Sequence, residues 1–205
     1  MPTIPRSIAF RAPLLATLAL LGLAGCAPST PPGAPATVPA PVPATTTATT
    51  PADVTAGWTP YSDAVDHFSL RYPPAWQHRS CPSGGHIGLF LAPTTAGVGV
   101  CNSGFVGQMS IVAVTGDERA AYQITGEPGV VSAPVTVGGV AGTRQSVTLS
   151  GAGLGPPAGT REVVYLFFTG GRTYRCAYDQ TPTGATATDV LADFDLLVTH
   201  TLAFS

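Results

Sequence analysis

The chain has 205 residues, 44% of them hydrophobic, and a formal net charge of −2, which leaves room for one packed domain. Its cations are nine arginines with no lysine, and two of these, Arg6 and Arg11, stand in the first eleven residues, so the remainder sets seven basic against eleven acidic side chains. That balance excludes nucleic acid as a partner, because phosphate backbones demand a basic face. The missing lysines and the single asparagine, Asn102, read as coding bias rather than as adaptation to a ligand.

In chain order, Arg6 and Arg11 precede an apolar run over residues 12–24 that is too short to span a bilayer, the pattern of a signal peptide over residues 1–25. Its end, Leu23-Ala24-Gly25-Cys26, resembles the bacterial lipobox, in which the cysteine becomes the acylated first residue of the mature protein. The resemblance implies a lipid-anchored protein of the cell envelope, facing away from the cytoplasm, with Cys26 as the lipidation site. Each buried acyl methylene contributes about 0.8 kcal/mol, so two or three chains hold a protein on a membrane almost irreversibly.

Residues 27–56 hold eight prolines among alanine and threonine, with a single charge at Asp53 and almost no large apolar side chain. With Cys26 they predict a disordered tether, reaching at most about 90 Å at about 3.1 Å per residue. The folded domain is expected over residues 57–205. Phe68, Leu70 and Tyr72 alternate with Ser69 and Arg71 as a half-buried strand, Pro73-Pro74 stops it, and Trp76 follows as an anchor.

The stretch from His67 through Phe68 and Tyr72 to Trp76 resembles the opening signature of the PsbP-like family, a fold shared by the photosystem II extrinsic protein, Ran-binding Mog-type proteins and many bacterial lipoproteins. The resemblance implies antiparallel strands, a late hairpin, and a last helix ending in a short apolar segment. It implies fold and is nearly silent about activity.

The middle of the chain suits that order. Residues 86–91 and 108–115 are strand-like, Asp117 is placed to cap a short helix through Ile124, and Gly138-Gly139 offers a two-residue turn. Gln145, Val147 and Leu149 then face one way, while Arg144, Ser146 and Thr148 form a wet face. Residues 162–168 carry apolar side chains on both alternating faces, which predicts a strand buried on each side, in the middle of a sheet. Gly170-Gly171 turns it, and Tyr174, Cys176 and Tyr178 return on one face, making a central β-hairpin. Thr186 is placed to cap a helix with Asp189 three residues on, and Val190, Leu191, Phe194, Leu197 and Val198 recur at helical spacing. Residues 201–204 close the chain in extended form. The expected class is α+β: an antiparallel sheet with helices packed on it.

Beyond Cys26, the cysteines are Cys81, Cys101 and Cys176. In an oxidising compartment the favoured pairing is Cys81 with Cys101, leaving Cys176 as a buried thiol, although an odd count also permits Cys176 to pair with either. His78, Cys81, His86 and Cys101 match no familiar zinc spacing, and a disulfide would consume the thiolates, so no metal or other cofactor is expected. Gly151, Gly153 and Gly155 mimic a phosphate-binding turn, but Pro156 and Pro157 stand where its helix would start. No serine lies in a nucleophile elbow, and His67, His78, His86 and His200 lack a nucleophile and orienting acid at meaningful spacing. Trp58, Tyr61, Phe68, Tyr72 and Trp76 are expected in the core rather than in a groove. The reading is a non-enzymatic accessory or interaction lipoprotein with an envelope protein as partner. The alternatives are a small-molecule or lipid carrier with a cavity between sheet and helix and, behind it, a hydrolase.

Overall fold

A computed structural model describes residues 53–83, 86–98, 108–151 and 156–205, with the backbone alone at residues 82, 83, 86 and 87. The expected leader, Cys26, the tether up to residue 52, Cys101, Gly153 and Gly155 lie outside the described residues.

The hairpin predicted at the centre of the fold is there. β8 (Arg161–Thr169) pairs antiparallel with β9 (Arg172–Gln180), Val163 opposite Tyr178 and Tyr165 opposite Cys176. Gly170 and Gly171 have φ of 57° and 73°, the two left-handed positions that let a two-residue turn match the right-handed twist of its strands. The hairpin sits inside a seven-stranded antiparallel sheet of order β3-β4-β5-β9-β8-β7-β6, so β9 is the central strand. The others are β3 (Gln77–Ser83), β4 (His86–Ala92), β5 (Met109–Thr115), β6 (Val131–Val137) and β7 (Val140–Thr148). Gly142 on β7 faces Phe167, and a Cβ there would stand 2.6 Å from the Leu166 carbonyl oxygen and inside the Phe167 ring. Glycine is what lets that ring lie flat across β7.

Alternation along β8 and β9 divides the sheet into two faces. Val163, Tyr165, Phe167, Tyr174, Cys176 and Tyr178 share the first, and all are at most 1% exposed. Over it lie α2 (Leu191–Leu196) and a π-type turn, Leu197–Thr201. Phe194 stacks on Tyr178 with ring centres 5.6 Å apart and meets Tyr165 edge-on at 5.8 Å. The rest of this face is covered by a separate three-stranded sheet of β1 (Thr59–Asp63), β2 (Phe68–Tyr72) and β10 (Ala203–Phe204), order β1-β2-β10. Phe68, Leu70, Tyr72 and Trp76 all join this core, and Phe204 of the closing segment reaches Tyr174 at 4.8 Å. Each such side chain contributes about 1.5–3 kcal/mol by leaving water. The architecture is α+β and antiparallel, with the strand of the opening signature in the small sheet rather than the large one.

Two expected caps are corrected. Helix α2 begins at Leu191, not near Thr186: the Leu191 N–H donates to the Asp189 carboxylate at 3.1 Å, while the Thr186 hydroxyl is spent on that of Thr181 at 2.6 Å. The cause is Gln108, whose side-chain amide holds the carbonyls of Thr186 and Thr188 and ties that stretch to the foot of β5 before a helix can start. Helix α1 covers only Arg119–Tyr122, with Glu118 at its N-cap and no side-chain cap. Asp117 does not cap it, because its carboxylate is held by the Arg119 guanidinium at 2.7 and 2.8 Å. At Gln123 the backbone becomes extended, so the helix stops short of Ile124.

The wet face expected of β7 is covered in part. Arg144 donates from Nε to the Tyr165 hydroxyl at 3.0 Å and pairs with Asp195 of α2 at 3.3 Å, while Tyr165 donates to Asp195 at 2.6 Å. Burial, followed by the hydrogen bond to Asp195 and then the Asp195 charge, drives the Tyr165 hydroxyl well above its ordinary pKa, so it stays a donor and fastens α2 to the sheet. Tyr178 makes the matching bond to Asp189 at 3.2 Å, its pKa pushed up to about 12 chiefly by burial.

Candidate functional site

The opposite face of the large sheet is built differently. Along β8 it presents Glu162, Val164, Leu166 and Phe168, and along β9 Thr173, Arg175, Ala177 and Asp179. Val164, Leu166 and Ala177 form a small second core with Tyr122 and Ile124 packed on it. The segment carrying those two residues is stitched down at several points. Glu118 N–H donates to the Thr173 hydroxyl at 2.8 Å, Ile124 N–H to the Gln145 side-chain oxygen at 2.9 Å, and Glu127 accepts from Ser150 N–H at 3.1 Å. It therefore lies along one side of this face as a fixed wall.

Between that wall and the β4–β5 side of the sheet runs a groove of about 500 Å³. Phe90, Val112, Tyr122 and Ile124 supply apolar walls, and Glu162 and Arg175 lie in its floor. Arg175 stands opposite Leu166, and Glu162 opposite Asp179, so the guanidinium reaches along the strand pair to meet Glu162 at 3.1 Å. Both side chains are mostly shielded, 23% and 17% exposed, which strengthens a charge-assisted bond relative to one in open water. Asp179 is raised to about 6, first by burial and then by the neighbouring Glu162 charge, with Arg175 offsetting only part of this. Among the described residues, those lining the groove include no histidine and no cysteine. Such a floor can hold a charged or hydrogen-bonding group, and the Ser110 hydroxyl also lines it.

The residues singled out earlier are spread elsewhere. His78 bonds through Nδ1 to the Tyr72 hydroxyl at 3.0 Å beside the small sheet, His200 pairs with Thr199 at 2.8 Å on an exposed turn, and His67 takes a left-handed φ of 56° in the turn before β2. Among the described residues no three histidine, cysteine or acidic side chains converge as metal ligands, and no helix is long and apolar enough to cross a membrane. Cys81 is buried in β3, opposite Gly88 and so on the groove face. Cys176 is a free thiol, pushed up to about 12 by burial, which makes it a packing residue rather than a reactive one. Phe68, Tyr72 and Trp76 are core, with Trp58 and Tyr61 half-buried against it. The groove itself was missed. Its only signal in the sequence is charge at Glu162, Arg175 and Asp179 on otherwise apolar strands.

No protein-family model matches the chain, and no curated protein matches it. Among solved structures it is similar to the solution structure of cyanobacterial PsbP from Synechocystis, at 12% identity and a TM-score of 0.43, over 72% of this chain and 92% of that one. A crystal structure from Bacteroides thetaiotaomicron is similar at 14% identity and a TM-score of 0.38, over 71% of this chain and 48% of the other. At these identities the likeness concerns fold alone.

Proposed function

We propose that this chain is an envelope lipoprotein, anchored through Cys26 and a tether over residues 26–56, whose PsbP-like domain is a non-enzymatic interaction module. The observation that carries the binding reading is the groove: a concave face with apolar walls and a charged floor, with no histidine and no cysteine among its described lining residues. The chemistry-bearing side chains support it as well, since His78, Tyr165 and Tyr178 are all engaged in holding the fold together. A bridge between Cys81 and Cys101 belongs to this proposal, supported by the burial of Cys81 and by the free state of Cys176. A carrier of small molecules is the second reading, favoured by a volume above the roughly 300 Å³ such ligands need. It is the weaker one, because the space between the sheet and α2 is filled by side chains and the groove, as the described residues form it, is open to one side. The experiment compares the full-length protein with Cys26→Ser and with four single His→Ala variants. We expect fatty-acid labelling and membrane fractionation to be lost in Cys26→Ser alone, and no protein to hydrolyse generic ester, peptide or glycoside substrates. Turnover by the parent that vanishes in one histidine variant refutes the module; undiminished labelling of Cys26→Ser refutes the anchor.

A further inference from the structure

The groove carries an excess of carboxylate. Glu162 and Glu127 line it, Asp179 stands directly across the strand pair from Glu162, and the cation in the lining is Arg175, which Glu162 already engages. Apolar walls with one carboxylate in the floor, Glu162, and a second at the rim, Glu127, suit a ligand with both characters, an aliphatic or aromatic stem tipped by a positive charge. Arg175 shows the charged half of that fit, its guanidinium held at Glu162 in the same groove. A carrier site encloses most of its ligand, whereas this groove, as the described residues form it, is open to one side, so its occupant projects from a larger body.

We propose that the groove docks a partner protein through a projecting arginine or lysine side chain, its stem against Phe90, Val112 and Tyr122 and its cationic head between Glu162 and Glu127. The proposal rests on the interaction-module reading and supplies the chemistry of that module's partner. Tyr122 adds the face of an aromatic ring to the attraction for the cation. The partial shielding of Glu162 makes each new charge-assisted bond stronger than its counterpart on open surface.

Fluorescence anisotropy of a dye-labelled acetyl-Leu-Arg-Leu peptide, titrated with the full-length protein in nonionic detergent, tests it. The comparison peptides carry lysine, or citrulline as the neutral isostere, in place of arginine. The arginine and lysine peptides should saturate, and the citrulline peptide should bind about tenfold more weakly or not at all. Glu162→Gln and Glu127→Gln should each weaken the arginine peptide at least about threefold, whereas Asp193→Asn on α2, which removes the same charge from the other side of the sheet, should leave it unchanged. Glu127 lies at the rim, so its variant keeps the test sound should Glu162→Gln fold poorly. Equal binding of arginine and citrulline peptides, or equal effects of the Glu127 and Asp193 variants, overturns the docking proposal. If the parent also shows no hydrolytic turnover, the interaction module survives that failure; turnover would bring down the module itself.

Discussion

The two faces of the large sheet come from the same strands and differ in what covers them. On one, the rings of Tyr165, Phe167, Tyr174 and Tyr178 are sealed under α2 and the small sheet, and polar groups serve only as fasteners: Tyr165 to Asp195, Tyr178 to Asp189. On the other, Val164, Leu166 and Ala177 are just as buried, yet Glu162, Arg175 and Asp179 share the surface with them, and one short stitched segment covers only part of it. A face completed by a full layer becomes core. A face with charge at the strand ends and a partial cover becomes a groove, because ionised groups cost too much to seal completely.

The sharpest way to break this contrast is to remove the cover of the first face. Truncation before Asp189 strips Phe194, Leu197, Val198 and Leu202, all buried, each contributing about 1.5–3 kcal/mol against a typical margin of about 5–15 kcal/mol. We expect no cooperative thermal transition by circular dichroism; a melt close to the parent's would mean that the groove face alone sustains the sheet. On that face, Cys81→Ser should cost about 3 kcal/mol in non-reducing denaturant titration if Cys81 and Cys101 are bridged. Peptide mapping without reduction should then find that link and leave Cys176 alkylatable only after unfolding, while a native bridge to Cys176 would reverse the assignment. The smallest effect concerns Asp179. Its carboxyl is raised from 3.8 to about 6 in the fold, so the folded state binds that proton more tightly than the unfolded chain does. Stability should therefore decline as pH climbs from about 4 to about 6 and change no further through this group above that, with a total of about 2–3 kcal/mol. Asp179→Asn should flatten this decline and melt above the parent at pH 7.5. A variant no more stable there would show that Glu162 and burial impose no cost on the ionised carboxylate.

Several parts of this arrangement were legible in advance, for local reasons. Unbroken apolar alternation over residues 162–168 can only be a strand buried on both sides, Gly170-Gly171 admits the turn that doubles it back, and the spacing of Phe194, Leu197 and Val198 marks one side of a helix. Proline stops and positive-φ glycines act within a few residues, so the order of strands could be read without knowing where they meet.

What only the tertiary structure decided depends on partners far apart in the chain. Gln108 holds the carbonyls of Thr186 and Thr188 and so displaces the start of α2; Arg144 finds Asp195 across 51 positions; Phe68 and its neighbours leave the large sheet for a small one closed by residues 203–204. The groove belongs to the same class, since it exists only where the segment from Asp117 to Glu127 packs on Val164, Leu166 and Ala177 beside the charges that β8 and β9 carry. Periodicity says which side chains share a face, a consequence of backbone geometry within one strand. Which faces are closed and which stay open is set by packing between strands and helices, whose free energy no local spacing encodes.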